Sequence, residues 1–488
     1  LLPVLLVSLF FLTSTGLPGR AAAQGPVRWD EPFNISDSET GSIHPAIVTD
    51  GYGYVHVFWC EDVGGRQTAS DDLPDSPNAI SYRRWDGRTW TEPIDIVAVS
   101  DDALADYVAA AVDDSNQLHM VWTGLVDIYY STAPAAEADS PRSWSVPRLV
   151  SPDSARSRYE SDIVTDARGN VHVVYATRGS EPGVFHVTAS PDSEGWSLPS
   201  RISNLLGGNE VAFRDVRLDA DDSGRLHAVW STANADGYGQ AVYYARRSAA
   251  SDVWELPTCL ADATINTGFS GFPYVLPHGQ DELVLIHVAQ AAKQRVERTS
   301  SDGGRTWSEP RFILSSMEGV NGFLTPLADR DGGLHLVVNM RPSEDQRTGI
   351  YYAPRAGLDW SPIIPVAVEE PYGPSAHYTD AAVRLGNEIH TVWTQLRSGE
   401  VWHVRGVIGD LEPSLAREVS EIPEATPNAT ETVTLPEPTA MGMSSEATYA
   451  LEEAPRAPMS DAWMPLVAAT VPVALLLVGV AVWRTRKR

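Results

Sequence analysis

A short phrase that recurs seven times along the chain constrains its fold more than any other feature. The phrase is Trp-x-x-Pro or a close variant, and successive copies lie 52 to 61 residues apart. Its tryptophans are Trp29, Trp90, Trp144, Trp196, Trp254, Trp307 and Trp360. Similarity at a regular period of this length is typical of repeat architectures, in which each unit buries its apolar face against its neighbours. We therefore expect one array of seven units rather than several unrelated domains.

A second phrase runs in phase with the first and carries one histidine in each unit. These histidines are His56, His119, His172, His227, His287, His335 and His390. An active site occurs once, so seven histidines at equivalent positions are expected to be structural. We predict that each imidazole bonds to the backbone near a turn.

Each unit divides into four short strands. Runs of β-branched and aromatic residues alternate with turns rich in Asp and Gly, which predicts the four-stranded blade of a propeller. The first Trp phrase has no strands before it, and the last unit, which ends in EVWHVRGVIG, has no Trp strand after it. The sequence therefore predicts an all-β, seven-bladed β-propeller over residues 26–409, with the ring closed by the strand at Trp29.

The stretch SSDGGRTWSEP, residues 300–310, contains a more specific motif. Its spacing Ser-x-Asp-x-Gly-x-Thr-Trp is formed by Ser300, Asp302, Gly304, Thr306 and Trp307. Short Ser and Asp side chains bond nearby backbone amides, and Gly allows the positive φ of a tight turn. These residues therefore predict a structural hairpin turn rather than a metal or catalytic site.

This motif resembles the Asp box of the sialidase-type (BNR repeat) β-propellers. The resemblance covers about residues 26–409, with degraded copies of the box in SPDSEGW and RWDGRTW. Sialidases of that family have six blades, whereas seven units are counted here. A six-bladed, sialidase-type ring is therefore the alternative to the seven-bladed one.

The two ends of the chain predict export and membrane attachment. Residues 1–25 contain an apolar run followed by AAAQ, the pattern of a secretory signal peptide. Residues 410–463 are acidic and rich in Pro, which predicts a disordered stalk. Residues 464–483 carry no charge and are long enough to cross a bilayer as a helix, and the basic stub 484–488 follows. We expect a single-pass cell-membrane protein with an extracellular propeller.

Charge and cysteine content narrow the range of partners. The formal net charge is −28, so nucleic acid is repelled at long range and is not an expected partner. Cys60 and Cys259 fall in distant units, so we expect free thiols and neither a disulfide nor a zinc site. We expect a monomer that needs no cofactor.

Two acidic turns leave bound calcium as an alternative. DADDSG begins at Asp219, and DRDGG begins at Asp329. Neither is followed at loop distance by the bidentate Glu of a calcium loop. Ordinary turns built on Asp and Gly are therefore favoured, and no metal ligand is assigned.

The units differ most where their inner strands begin. We call the opening where the inner strands begin the mouth. In the resembled family the mouth lies on the face opposite the Asp boxes and holds the ligand. Different polar and aromatic side chains at equivalent places are what a single asymmetric ligand requires. The candidate ligand-binding residues are His44, Tyr107, Arg158, Arg214, Asp215, His377 and Tyr378.

Three functions are compatible with this mouth. The resemblance implies a retaining sialidase, a glycoside hydrolase, for which Tyr159, Glu160 and Asp106 are the catalytic candidates beside the arginines. A polysaccharide lyase or another glycosidase would instead use the tyrosines and histidines at the mouth. A non-catalytic propeller would bind a glycan, a peptide or a neighbouring surface protein. The Phe-Arg-Ile-Pro signature of the sialidases is absent, so binding of a glycan is favoured.

Overall fold

In the computed structural model, the described part of the chain forms seven antiparallel sheets whose inner strands contact one another in a closed cycle. The described residues are 27–38, 40–63, 77–99, 104–124, 127–150, 161–178, 182–191, 195–262, 270–289, 294–315, 317–318, 323–342, 347–368, 376–396, 398–409 and 411–418. The predicted signal peptide, most of the stalk, the membrane span and the basic stub lie outside these ranges. Within them, no helix combines the length and hydropathy that a membrane span requires.

The first three blades follow two short N-terminal strands. The strands are β1 (Val27–Trp29) and β2 (Phe33–Asn34); β3 (Ser42–Thr49), β4 (Val55–Glu61), β5 (Ala79–Trp85) and β6 (Ile94–Ala98) in blade 1; β7 (Asp106–Val112), β8 (Gln117–Thr123), β9 (Ile128–Pro134) and β10 (Arg148–Leu149) in blade 2; and β11 (Ser161–Thr165), β12 (Val171–Thr177), β13 (Gly183–Ala189) and β14 (Ser200–Arg201) in blade 3. Two 3-10 turns, Ala135–Glu137 and Pro141–Ser143, precede β10.

Four further blades complete the ring. Their strands are β15 (Ala212–Ala220), β16 (Leu226–Ala233), β17 (Gly239–Arg247) and β18 (Thr258–Asp262) in blade 4; β19 (Ser270–Pro277), β20 (Leu283–Ala289), β21 (Gln294–Ser300) and β22 (Arg311–Ile313) in blade 5; β23 (Met317–Glu318), β24 (Leu324–Ala328), β25 (Leu334–Pro342), β26 (Gly349–Ala356), β27 (Asp359–Trp360) and β28 (Ile364–Val368) in blade 6; and β29 (Ala376–Arg384), β30 (Glu388–Gln395) and β31 (Glu400–Ile408) in blade 7.

The N-terminal strands close the ring by joining blade 7. Strand β1 pairs antiparallel with β31 so that Trp29 lies opposite Gly406, and β2 pairs with the other half of β31. A side chain at Gly406 would clash, because an added Cβ would lie 2.8 Å from the Trp29 ring. The predicted seven-bladed propeller with this closure is confirmed, and the six-bladed alternative is wrong.

Six blades share a buried chain of side chains near the turn between their first and second strands. A carboxylate lies 3.1 to 3.5 Å from imidazole Nε2 of a second-strand histidine. Nδ1 of that imidazole lies 2.6 to 3.2 Å from a Tyr hydroxyl or an imidazole of the third strand. We call this set the relay. Its members are Asp50, His56 and Tyr82; Asp113, His119 and Tyr130; Asp166, His172 and His186; Asp221, His227 and Tyr244; Asp329, His335 and Tyr352; and Glu388, His390 and His403.

Burial favours the neutral form of the central imidazole in the relays of blades 3 and 4. Burial lowers the pKa of His172 to about 4 and also lowers the pKa of His227. Burial alone would raise the pKa of Asp329, but hydrogen bonds from His335 and the Gly333 amide lower it. A neutral imidazole therefore donates from Nε2 to an ionised carboxylate and accepts a proton donor at Nδ1. The expectation that these histidines bond to backbone is wrong for the six relays.

Blade 5 is the exception, and it corrects the histidine assignment. The strand register places Val284, not His287, at the relay position, and it places Glu297 where other blades have Tyr or His. His287 lies 3.3 Å from the carbonyl of Val288. Glu297 is 2% exposed and accepts a hydrogen bond of 2.6 Å from Trp360 Nε1.

The repeated tryptophans join each blade to the one before it. In six cases the indole packs against the third-strand ring of the preceding relay, with ring centroids 4.9 to 6.3 Å apart. The pairs are Trp29 with Tyr352, Trp90 with His403, Trp144 with Tyr82, Trp196 with Tyr130, Trp254 with His186, and Trp307 with Tyr244. Trp360 joins blade 6 to Glu297 of blade 5 instead. Each tryptophan of the sevenfold phrase therefore marks a contact between neighbouring blades.

Residues 411–418 follow the last strand and lie against the inner turns of the ring. The amide of Ser414 donates to the carbonyl of Leu385 in blade 7, and the amide of Arg417 donates to the carbonyl of Gly51 in blade 1, both at 2.7 Å. The Arg417 guanidinium also reaches the carbonyl of Asp114 in blade 2. This segment, which the sequence assigned to the stalk, contacts turns at the end of the ring opposite the strand starts.

Removing residues 26–38, which contain β1 and β2, should lower the melting temperature and broaden the unfolding transition. The deletion leaves β31 as an unpaired edge, which promotes aggregation. Calorimetry of the deleted and intact chains measures the effect. A transition of unchanged midpoint and sharpness in the deleted chain would show that the closure adds no stability.

Tyr130→Phe should lower the free energy of unfolding by about 1 to 2 kcal/mol, because His119 Nδ1 then loses its proton donor while buried. The matched control is Tyr129→Phe, since the Tyr129 hydroxyl has no hydrogen bond among the described residues. Urea unfolding of both variants gives the comparison. Equal losses in the two variants would contradict a stabilising role for the relay.

Candidate functional site

A pocket of about 370 Å³ lies where the seven inner strands face one another. Blades 1 and 2 contribute alanines to its wall, and the other blades contribute Asp162, Arg217, Tyr274, Thr325 and Asp380 at equivalent positions. The volume is within the range of small-molecule sites, about 300 to 1,000 Å³. The pocket opens towards the predicted mouth, because His44, Tyr107, Phe323 and Tyr378 also line it.

Five inner strands contain a β-bulge at the mouth. In each, the register with the second strand shifts by one residue. The residue at the shift has a φ between 47° and 52°, and these residues are His44, Tyr107, Asp215, Phe272 and Tyr378. A left-handed φ is uncommon for residues other than Gly and costs of order 1 to 3 kcal/mol. Bulges re-aim side chains and are often found beside functional sites, so the repeated strain makes the mouth the candidate site.

His44 and Asp106 form a short hydrogen-bonded pair at the mouth. Nδ1 of His44 lies 2.5 Å from Oδ1 of Asp106, which also accepts the amide of Tyr107 at 2.8 Å. His44 is 8% exposed, and its Nε2 has no hydrogen-bond partner among the described residues. A carboxylate on Nδ1 fixes the orientation of an imidazole and leaves Nε2 for another group. The pair can therefore present one directed hydrogen-bonding or proton-transferring atom.

A continuous arc of aromatic rings surrounds this pair. The His44 ring stacks on Tyr107 at 4.0 Å and meets Tyr378 edge-on at 4.1 Å. Phe323 lies 4.9 Å from Tyr378 and 5.0 Å from Phe272. We call these five rings the aromatic collar. They come from blades 2, 1, 7, 6 and 5 in turn, so that only the closed ring brings them together.

Below the collar, three carboxyl groups and one guanidinium line the pocket. Oδ2 of Asp162 accepts the amide of Leu218, and Oδ2 of Asp380 accepts the amide of Ile47, so that each carboxylate ties its inner strand to the next blade. Burial raises the pKa of Asp162, and it raises the pKa of Asp380 to about 6. These two aspartates are therefore part of the frame of the pocket.

The motif DADDSG forms the expected turn only from Asp221 onwards, because Asp219 belongs to a strand. Asp219 lies in strand β15, one residue before the strand ends, and it lines the pocket. Its Oδ1 accepts only the neighbouring Ala220 amide, and Oδ2 has no hydrogen-bond partner among the described residues. Burial, with Asp162 and Asp221 nearby, raises the pKa of Asp219 to about 7. Asp219 therefore accepts fewer hydrogen bonds than the other two carboxyl groups of the pocket.

Three other predicted mouth residues lie beside the pocket without lining it. Asp215 is buried and accepts hydrogen bonds from Ser231 Oγ and, at 3.1 Å, from the Phe272 amide. Nη1 of Arg214 donates to the carbonyl of Gly237 at 3.1 Å. His377 contacts Phe323, with ring centroids 5.1 Å apart, and burial lowers its pKa to about 4. Asp215 and His377 thus support the collar.

The remaining sialidase-type candidates cannot be placed. Arg158, Tyr159 and Glu160 lie outside the described residues. Of the three catalytic candidates only Asp106 is described, and its carboxylate is paired with His44. Arg217 and Asp219 are functional candidates that the sequence did not assign to the site. Arg217 and Asp219 follow Asp215 at intervals of two, a β-strand period that indicates a shared face.

The Ser300 to Trp307 turn lies away from the mouth, near the turn between β19 and β20. Asp302 accepts hydrogen bonds from the Thr306 amide at 2.9 Å and the Thr306 hydroxyl at 2.6 Å. Gly304 has a φ of 82°, and a Cβ there would overlap the Tyr244 hydroxyl at 1.8 Å. The hydrogen bonds of Asp302 thus lie within the turn, and Gly304 packs against the neighbouring blade.

The described residues contain no group of three or more His, Cys, Asp or Glu placed to hold a metal ion. Asp329, the second calcium candidate, accepts the amides of Asp331 and Gly333 and belongs to a relay. Cys60 is a buried free thiol, and Cys259 is an exposed one. Burial and the nearby Asp106 raise the pKa of Cys60.

Several solved structures are similar to this chain. A protein of unknown function from Dyadobacter fermentans is 12% identical, with a TM-score of 0.47 over 78% of this chain and 99% of that one. A Hadza microbial sialidase is 13% identical, with a TM-score of 0.46 over 68% and 74%. A mutant of the NanB sialidase from Streptococcus pneumoniae is 11% identical, with a TM-score of 0.45 over 79% and 70%.

At these identities the likeness concerns the propeller fold and does not extend to activity. No protein-family model matches the chain, and no curated protein matches it.

Asp219→Asn should stabilise the protein, and the gain should grow between about pH 4 and pH 7. The folded pKa of about 7 exceeds the ordinary value of 3.8, so the folded state binds more protons than the unfolded state in this window. The Asp219 carboxyl group therefore destabilises the fold increasingly as pH rises. Urea unfolding of both proteins at pH 5 and pH 8 tests this. A difference that is independent of pH, or larger at pH 5, would contradict it.

Proposed function

We propose that the protein binds a glycan at the mouth of its propeller, with a sugar ring lying on the aromatic collar. The observation that carries this proposal is the strained bulge that repeats in five inner strands and places four collar rings and Asp215 at one opening. Aromatic faces contact the apolar faces of sugar rings, and a few directed polar groups supply orientation. The collar and the His44–Asp106 pair offer both kinds of contact.

The chemistry of the collar fits a sugar better than an apolar ligand. Two of its rings are tyrosines, which combine an apolar face with a hydroxyl group, and its imidazole has an unpartnered Nε2. Leaving a buried polar atom without a partner costs about 1 to 3 kcal/mol. A sugar hydroxyl at Nε2 would recover that energy. We therefore retain the binding function that the sequence favoured.

A degradative activity on the same glycan is the second candidate, and the His44–Asp106 pair favours it. In enzymes, a carboxylate on one imidazole nitrogen orients the other nitrogen as a general base. Nε2 of His44 is such an atom, and Tyr107 is stacked against the ring. Incubation of the full chain with sialosides and uronate polysaccharides, with detection of new reducing or unsaturated ends, separates a glycosidase or lyase from a binding protein.

We also propose that the propeller is displayed outside a cell membrane by its C-terminal segment. The sequence of residues 464–483 is the basis of this proposal. Strand β1 pairs with the end of β31, and residues 411–418 lie on the inner turns, so both described chain ends leave the ring on the turn side. Binding of a neighbouring surface protein at the mouth is the competing role.

Tyr107→Ala should weaken glycan binding by the full chain about tenfold or more, because it removes the ring that stacks on His44 and faces the pocket. A glycan array identifies ligands, and titration calorimetry measures their affinity for both proteins. The matched control is Phe312→Ala, which removes an aromatic ring that is 54% exposed on the outer strand of blade 5.

The control variant should bind as the unaltered chain does, and both variants should melt cooperatively. Equal losses in the two variants would place binding elsewhere than the mouth. An array without any bound glycan would refute the proposal and would favour a protein partner.

A further inference from the structure

The interior of the pocket carries more acidic than basic side chains, whereas an acidic sugar requires a positively charged site. Its described lining contains Asp162, Asp219 and Asp380 against a single guanidinium, that of Arg217. Arg217 is already engaged, since it donates to Tyr274 Oη at 3.3 Å and lies 5.1 Å over the Tyr274 ring. A carboxylate entering this space would meet more negative than positive charge. The acidic ligands of the sialidase hypothesis are therefore disfavoured.

Unpartnered polar side chains in the same pocket point to a ligand. The residues Ser161, Thr325 and Thr379 are 3%, 8% and 2% exposed, and their buried hydroxyl groups have no hydrogen-bond partner among the described residues. All three residues line the pocket that holds Asp219. Buried hydroxyl groups are normally hydrogen-bonded. A ligand with several donors and acceptors would satisfy them.

The depth of Asp219 suits the end of a ligand that enters from the mouth. Asp380 lies two residues after the bulge residue of its strand, and Asp162 occupies the equivalent position in its own strand. Asp219 lies four residues after the bulge residue Asp215 in β15. At about 3.3 Å per residue, these carboxyl groups lie roughly 7 and 13 Å below the collar. A group that contacts Asp219 would therefore belong to a ligand whose other part can still reach the aromatic rings.

We propose that the ligand is an oligosaccharide that carries an amino sugar, with the protonated amine bound at Asp219 and another of its sugar rings held by the collar. This inference rests on the proposed glycan-binding function and names the class of glycan. An ammonium group donates three hydrogen bonds, and one of them can go to Oδ2 of Asp219 as a charge-assisted bond. A metal ion does not fit the same position, because the described residues form no cluster of three ligands there.

The test compares glycans that differ only in the amine. Chitosan oligomers carry free amines, and the matching chitin oligomers carry N-acetyl groups on the same backbone. The unaltered full chain should bind the chitosan oligomer about tenfold or more tightly by titration calorimetry, as expected for one charge-assisted contact. Asp219→Asn should abolish that preference and leave the two oligomers with similar affinities.

The matched control is Asp222→Asn, which removes one carboxylate from the exposed turn beside β15. This variant should keep the preference for the amine. Equal affinities of the unaltered chain for both oligomers, or a preference that survives Asp219→Asn, would overturn the inference. The comparison on the unaltered chain decides the question even where a variant fails to fold.

The two proposals fail in different ways. Binding of neutral or acidic glycans with no preference for the amine overturns the inference and leaves glycan binding at the mouth in place. Absence of binding to every glycan tested overturns the proposed function and the inference with it.

Discussion

The structure depends on a buried imidazole that is held between a carboxylate and a phenol or a second imidazole. This relay occurs in six blades and connects the turn after the first strand with the third strand. The tryptophan of the following blade then packs on the outer member of the relay. A neutral imidazole that donates at one nitrogen and accepts at the other bonds two buried polar groups at once, as it does at His172 and His227. Because these contacts repeat in successive blades, they stabilise the whole closed ring.

Because the relays and tryptophans stabilise the turn side, the opposite side is free to vary. There the inner strands begin with bulges whose central residues adopt left-handed φ values, and these residues differ in chemistry from blade to blade. Strain of this kind persists only where the surrounding structure enforces it. The seven-bladed ring holds these residues in the strained conformation, and His44, Tyr107 and Tyr378 therefore lie together at one pocket. Along the same strands, the residues that stabilise the ring are thus separated from the candidate binding residues.

Much of the fold could be predicted from the sequence, because the tryptophan phrase and the histidine phrase each mark a contact made in most blades. The assignment failed at His287, where LVLIHVA resembles the other histidine strands but is shifted by three residues in register. At the mouth, His44, Tyr107 and Tyr378 were predictable from their unequal chemistry. The bulges were not predictable, because a single inserted residue leaves no compositional signal. Asp219 was assigned to a turn because β15 extends two residues further than the motif DADDSG suggested.

We propose that the turn side of the propeller is structural and that the mouth is the binding surface. Hydrogen–deuterium exchange of the full chain, with and without the tightest-binding glycan of an array, tests it directly. We expect glycan-dependent protection of backbone amides at the starts of the inner strands, around residues 106–109 and 377–380, and no change in the turn at residues 300–307. Protection confined to the turn side or to the outer strands, or no protection at a saturating glycan concentration, would contradict it.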